Sequence, residues 1–99
     1  TVLLNLYRDG QDSNGWHADN EKELGVNPVI ASVSLGASRF FHLKHNTDKF
    51  QKLKLELTHG SLLLMEGRTQ HFWKHKIAKT AKAVAPRINL TFRKVLKAH

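Results

Sequence analysis

The sequence predicts an all-β fold of jelly-roll type, a double-stranded β-helix of eight short strands with little helix. Three observations carry that expectation. Short runs of alternating or apolar, β-branched and aromatic residues recur at close spacing. Clusters of turn-forming residues separate them, and the runs number eight, which is the jelly-roll count.

In chain order the candidate strands are Val2 to Arg8, Gly15 to Asp19, Ile30 to Leu35, Arg39 to His45, Lys52 to Thr58, Ser61 to Met65, His71 to Lys76 and Arg87 to Val95. Asp9-Gly10, Ser13-Asn14-Gly15, Gly36-Ala37-Ser38, His59-Gly60 and Glu66-Gly67 lie between them and supply the Gly and Asn positions that turns require. Only Glu21 to Leu24 and Lys76 to Val84 read as helical turns. No internal repeat or low-complexity linker interrupts the 99 residues, so one domain is expected.

An apolar content of 40% fits a globular chain rather than a disordered one. With no apolar run approaching membrane-spanning length and no basic-then-apolar leader, a soluble intracellular protein without membrane contact is expected. The chain opens at Thr1, inside a strand pattern and without Met, as a fragment of a longer protein would. Cysteine is absent, which excludes disulfides and thiolate metal sites, so any metal must be held by histidine and carboxylate.

The net charge of +8 is unevenly spread. Residues 1–25 hold two basic and five acidic residues, a net of −3; residues 26–65 hold five and two, a net of +3; residues 66–99 hold nine and one, a net of +8. A basic final third suggests a polyanionic partner, and an acidic first quarter suggests a cation or metal. A lysine-rich face that merely keeps a small domain in solution gives the same pattern.

Trp16-His17-Ala18-Asp19 sets an imidazole and a carboxylate two residues apart, a spacing that sends both to one face of a strand. With a distant third ligand they compose the two-histidine, one-carboxylate triad of non-haem Fe(II) oxygenases, which leaves coordination sites open. His42, His45, His59, His71, His75 and His99 can supply the third ligand. His75 is preferred, because a jelly roll can bring its late strand beside an early one. A surface strand that happens to carry both residues is the plainer alternative.

The run Arg87-Ile88-Asn89-Leu90-Thr91-Phe92-Arg93 alternates strictly. Either Ile88, Leu90 and Phe92 pack in the core and the polar face meets water, or the polar face lines an interior cavity. In the second case two guanidiniums need anions, and a dicarboxylate suits bidentate arginine contacts at each end. The first strand shows the same polarity, with Asn5 and Tyr7 opposite Val2, Leu4 and Leu6.

Taken together, Asn5-x-Tyr7-x-x-Gly10, His17-x-Asp19, Ile30-Ala31-Ser32-Val33-Ser34-Leu35-Gly36-Ala37, His59-Gly60-Ser61-Leu62-Leu63-x-Met65, His75 and Arg87-x-Asn89-x-Thr91-Phe92-Arg93 resemble the ordered landmarks of AlkB-type dioxygenases. The resemblance covers nearly the whole chain and is nearest the branch acting on nucleic-acid bases. It implies Fe(II) held by His17, Asp19 and His75, and 2-oxoglutarate held by Arg87 and Tyr7 at its far carboxylate. Asn5 and Arg93 would lie nearer the chelating end, and Asn89 would support that shell. On the substrate side it implies Glu21, opposite the exocyclic amine of a cationic methylated base, with Trp16, Arg39 and Trp73 as further contacts.

The implied reaction oxidises 2-oxoglutarate with O₂ to succinate and CO₂ and hydroxylates an N-methyl group, from which formaldehyde leaves. The implied substrates are 1-methyladenine and 3-methylcytosine in DNA or RNA, flipped out of the stack with the help of aromatics such as Trp16, Phe72 and Trp73. Family members carry about as much chain again ahead of the first landmark, including a nucleotide-recognition lid, so residues 1–99 are expected to be the catalytic core alone. Two alternatives stay open from the residues themselves. One is a dioxygenase acting on protein or lipid, and the other is a non-catalytic nucleic-acid-binding β domain.

Overall fold

A computed structural model of the chain describes residues 2–18 and 28–94. Its elements are β1 (Val2–Tyr7), β2 (Asn14–His17), β3 (Ile30–Gly36), β4 (Arg39–His45), β5 (Lys52–Leu57), β6 (Leu62–Met65), a single helical turn α1 (Thr69–Phe72), β7 (Trp73–Ile77) and β8 (Arg87–Arg93). Asp19, Glu21 and the candidate helical turn Glu21 to Leu24 lie outside the described residues.

The eight strands form two four-stranded sheets, ordered β1-β8-β3-β6 and β2-β7-β4-β5. Every neighbouring pair is antiparallel. Strands adjacent in sequence repeatedly cross between sheets, as a jelly roll requires, and the termini β1 and β8 pair in register from Val2↔Phe92 to Tyr7↔Arg87. Among the described residues no helix is long and apolar enough to cross a membrane.

The first sheet has an inverted polarity. Tyr7, Ser32, Ser34 and Arg87 are buried, whereas Val2, Leu4, Leu6, Leu62, Leu64 and Phe92 stand exposed on the opposite face. Register explains the sorting, since Leu4↔Leu90 and Val33↔Leu90 share one face while Asn5↔Asn89 and Ser34↔Asn89 share the other. The polar face of Arg87-x-Asn89-x-Thr91-x-Arg93 therefore looks into the space between the sheets. The apolar core is correspondingly small: Tyr7, Ile30, Phe41, Leu43, Leu57, Met65 and Ile77, with Leu63 and Trp73 packed against it.

Two details depart from the expectation. Lys76 to Val84 is not a helix, because Lys76 and Ile77 complete β7 against β4 and β2. Beyond them Thr80 donates its N–H to the Gly10 carbonyl at 2.8 Å, which holds the segment as an irregular strap. The helical turn lies instead at Thr69–Phe72, where the Thr69 hydroxyl donates to the Glu66 carbonyl at 2.7 Å. Strand β7 begins at Trp73 rather than His71.

Glycine is required at Gly36, where φ is +97° and a Cβ would stand 2.4 Å from the Pro86 carbonyl oxygen. That close approach seats the β3–β4 corner on the entry to β8, with Ala37 donating to Pro86 at 3.1 Å.

Candidate metal and anion site

Strand β2 is short, and a register shift between Asn14 and His17 turns both of these side chains inward. His17 turns inward and pairs in register with His75 of β7. The two rings meet edge to face with centroids 4.3 Å apart, and His75, which is buried, also lies 5.1 Å from the Phe41 ring. Nδ1 of His17 lies 2.8 Å from the Gly15 carbonyl oxygen. A carbonyl can only accept, so Nδ1 carries the proton and the Nε2 lone pair of the neutral ring is left for another partner, the tautomer that a metal ligand needs.

His17 and His75 share one cavity, of about 80 Å³, with Asn5, Tyr7, Arg87, Asn89 and Arg93. Phe41, Leu57, Met65 and Ile77 give this cavity an apolar wall. His17 and Arg87, 70 positions apart in the chain, thus converge because the sheets of a jelly roll face each other. A polar constellation with apolar walls strengthens every electrostatic interaction inside it.

Arg87 is the strongest electrostatic feature. It is only 2% exposed, and burial holds its pKa below the ordinary arginine value, an effect partly offset by Tyr7. Nη2 donates to the Ser34 hydroxyl at 2.9 Å, and the guanidinium lies over the Tyr7 ring at 4.9 Å. Nε and Nη1 are buried and meet no acceptor among the described residues. A buried guanidinium with two unanswered donors is costly unless an anion completes it, and a carboxylate fits that fork.

The residues around Arg87 are themselves fixed. Asn14 receives the Ile77 N–H at 2.6 Å and donates to the Tyr7 hydroxyl at 3.3 Å, so it ties β2 to β7 and orients Tyr7. The Ser32 hydroxyl donates to Asn89 Oδ1, and Asn89 donates in turn to the Thr91 hydroxyl at 2.9 Å. Sequence reasoning passed over Asn14, Ser32 and Ser34. The only available sign was the serine alternation in Ile30-Ala31-Ser32-Val33-Ser34-Leu35, whose polar positions are in register with β8.

Three residues nominated for substrate contact sit elsewhere. Trp16 points to the outer face of its sheet, away from His17, with Lys44 and Lys76 Nζ atoms 4.4 and 4.6 Å from its ring. Trp73 packs against the core and meets the His45 ring edge-on at 5.2 Å. Arg39 is buried and donates to the carbonyls of Asp9 at 3.2 Å, Asp12 at 3.0 Å and Ala78. Its donors anchor the loop after β1 to the end of β7, which makes it a structural strut. Phe72, the remaining aromatic, is half exposed and stacked on His45 at 6.1 Å.

The donor set fits Fe(II) and 2-oxoglutarate. His17 and His75 bring two imidazoles side by side, His17-x-Asp19 spacing adds a carboxylate, and Arg87 supplies a buried cation.

Comparison with known proteins agrees. A profile of the 2OG-Fe(II) oxygenase superfamily matches residues 1–93. The chain is 46% identical over 103 residues to mouse alpha-ketoglutarate-dependent dioxygenase alkB homolog 3, covering 96% of this chain and 36% of that protein. It is 46% identical over 102 residues to bovine DNA oxidative demethylase ALKBH2, covering 96% and 37%, and 44% identical over 118 residues to the Arabidopsis thaliana protein of that name, covering 97% and 38%. The chain thus spans little more than a third of the length of these relatives. The solved structure of OsALKBH1 superposes with a TM-score of 0.76 at 24% identity, over 94% of this chain and 48% of that one, which establishes the shared fold.

Proposed function

The chain belongs to the 2OG-Fe(II) oxygenase superfamily, and from that premise we propose that it is the catalytic core of a demethylase for N-methylated bases, 1-methyladenine and 3-methylcytosine, in DNA or RNA. The observation that carries the reading is the buried guanidinium of Arg87 with two unanswered donors, in one cavity with the paired imidazoles of His17 and His75. The similarity to DNA oxidative demethylase ALKBH2 over 96% of the chain supports a nucleic-acid substrate.

In this reading His17, His75 and Asp19 hold Fe(II). Arg87, placed by Ser34 and Tyr7, takes the far carboxylate of 2-oxoglutarate, while Asn5 and Arg93 lie toward its chelating end and Asn89 braces that wall. When bound, the metal and co-substrate supply the oxidation with O₂ that hydroxylates the methyl group and yields succinate, CO₂ and formaldehyde. The chain's own work is to bind, orient and keep water out. Phe41, Leu57, Met65 and Ile77 form the wall that excludes water. Glu21, an acidic position four residues beyond His17, would favour a cationic methylated base.

Formaldehyde release by the full-length protein tests the reading. Methylated oligonucleotides should yield formaldehyde in proportion to succinate, and methylated peptides should not. Product from peptides alone would overturn the substrate assignment.

A further inference from the structure

The two outer faces of the molecule differ in kind. The face of β1-β8-β3-β6 is apolar, as described above. The outer face of β2-β7-β4-β5 is cationic and aromatic. In β4, Phe41 and Leu43 are buried, so His42 and Lys44 point outward. Register then sets Lys76, His42 and Lys54 side by side in one rank across three strands, and Lys74, Lys44 and Lys52 in the next. Such ranks lie about 7 Å apart along the strands.

Like charges directly opposed on a sheet are destabilising, and this face opposes Lys44 to both Lys52 and Lys74. The arrangement raises the energy of the free protein. His42 reports the same field, since Lys54 and Lys76, after burial, hold its pKa below the ordinary histidine value. Glu56 is the one acidic side chain in register with this face, opposite Phe40. Among the described residues, none of these lysines takes part in an ion pair.

Aromatic rings are set among the charges. Trp16 lies between Lys44 and Lys76, and Phe40, which is exposed, has Lys54 Nζ 4.2 Å from its ring centroid. A groove of about 440 Å³ runs beside Trp16, where Lys44, Lys52, Lys54 and Lys76 border a floor that includes Leu43 and Leu53. Ammonium groups beside an exposed indole are the parts that bind single-stranded nucleic acid, where phosphates take the cations and a base stacks on the ring.

We infer that the outer face of β2-β7-β4-β5 is a second nucleic-acid contact, which holds a single strand flanking the base presented to the inner cavity. The inference rests on the reading that the substrate is a nucleic acid. Its geometry follows from β2, the edge strand of its sheet, which carries Trp16 outward and His17 inward at consecutive positions. A strand bound on the outer face has only the sheet's edge to round before a base reaches the iron ligands. An anionic lipid surface would meet the same lysines and exposed rings of Trp16 and Phe40, so vesicle binding is the competing outcome of the test.

The test is binding of an unmethylated 20-nucleotide single strand to the full-length protein without iron, read by fluorescence anisotropy across salt concentrations. Lys44→Gln/Lys54→Gln/Lys76→Gln should weaken binding at least tenfold at low salt. It should also lower the slope of log K against log salt by about 2, three phosphate contacts at ~0.7 each. Lys49→Gln, in the β4–β5 turn, should leave both unchanged. Circular dichroism of the triple variant checks that it is folded. An unaltered affinity and slope in a folded triple variant would overturn the inference. So would preferential binding to phosphatidylserine vesicles with loss of charge affecting only that binding. Demethylation is read separately by formaldehyde, so the two readings fail on different measurements.

Discussion

Arg87 donates to the Ser34 hydroxyl at 2.9 Å across two paired strands, while its buried Nε and Nη1 meet no acceptor among the described residues. The residue is therefore preorganised for an anion and poorly compensated without one. Replacing it with Met removes a buried charge that lacks a carboxylate partner, so the ligand-free protein should keep its melting temperature or gain slightly. Removing the cation from a buried charge pair costs about 2–5 kcal/mol of ligand binding. Wild-type protein at a 2-oxoglutarate concentration of ~100 Kd should gain about 2.7 kcal/mol of stability, and Arg87→Met should keep at most about a third of that gain at the same concentration. An equal shift in both proteins would mean that the dicarboxylate sits elsewhere.

The edge-to-face pair of His17 and His75 makes a sharper demand, because neither imidazole alone holds a metal well. Anaerobic titration with Fe(II) and 2-oxoglutarate should give the visible charge-transfer band of the chelate in the wild type. His17→Ala and His75→Ala should each abolish it, and Asp19→Ala should weaken or abolish it. A wild-type band in His75→Ala would assign the second imidazole to another histidine.

How much of this was legible beforehand depends on the kind of signal. Strand β8 declared its two faces through strict alternation, yet alternation is silent on which face turns inward. The usual burial of apolar residues pointed to Ile88, Leu90 and Phe92, whereas the structure turns Arg87 inward. Only the demand for a ligand inverts that preference. Arg39 could not be read, since its role depends on carbonyls from Asp9, Asp12 and Ala78, which meet only after folding. Trp16 faces away from His17 for a related reason: consecutive residues point to opposite faces of a strand. Lys76 to Val84 is rich in helix formers, but a run that short does not hold a helix by propensity alone, and the Thr80–Gly10 contact claims it instead.

Gly36 and Gly60 separate two costs that a glycine can hide. Both have positive φ, +97° and +77°, but only Gly36 has a backbone oxygen 2.4 Å from where a Cβ would be, while Gly60 faces open space. Gly60→Ala should cost about 1 kcal/mol for the left-handed backbone alone. Gly36→Ala must also displace Pro86, beside Arg87, and should cost ~3 kcal/mol or more. Urea unfolding midpoints of the two variants measure the difference. Equal losses would show that the β3–β4 corner yields freely.

His42 gives a pH dependence with a definite sign. Its pKa is lowered first by burial, then by Lys54 and Lys76, the partners on either side of it. In the unfolded chain the imidazole returns to about 6.5. Well above that value neither state binds the proton, and His42 makes no difference to stability. As pH falls through the unfolded value, the unfolded state takes up the proton first, so stability is lost until pH passes below the folded pKa, where the loss levels off. His42→Gln removes this contribution, and the stability of the wild type relative to the variant should therefore decline between roughly pH 7 and pH 5. Lys44 and Glu56 also border this face, but both are present in wild type and variant alike, so the comparison isolates the imidazole. Urea unfolding of both proteins at pH 8, 6.5 and 5 reads the effect, and a stability difference that stays constant across the three would show that His42 ionises equally in both states.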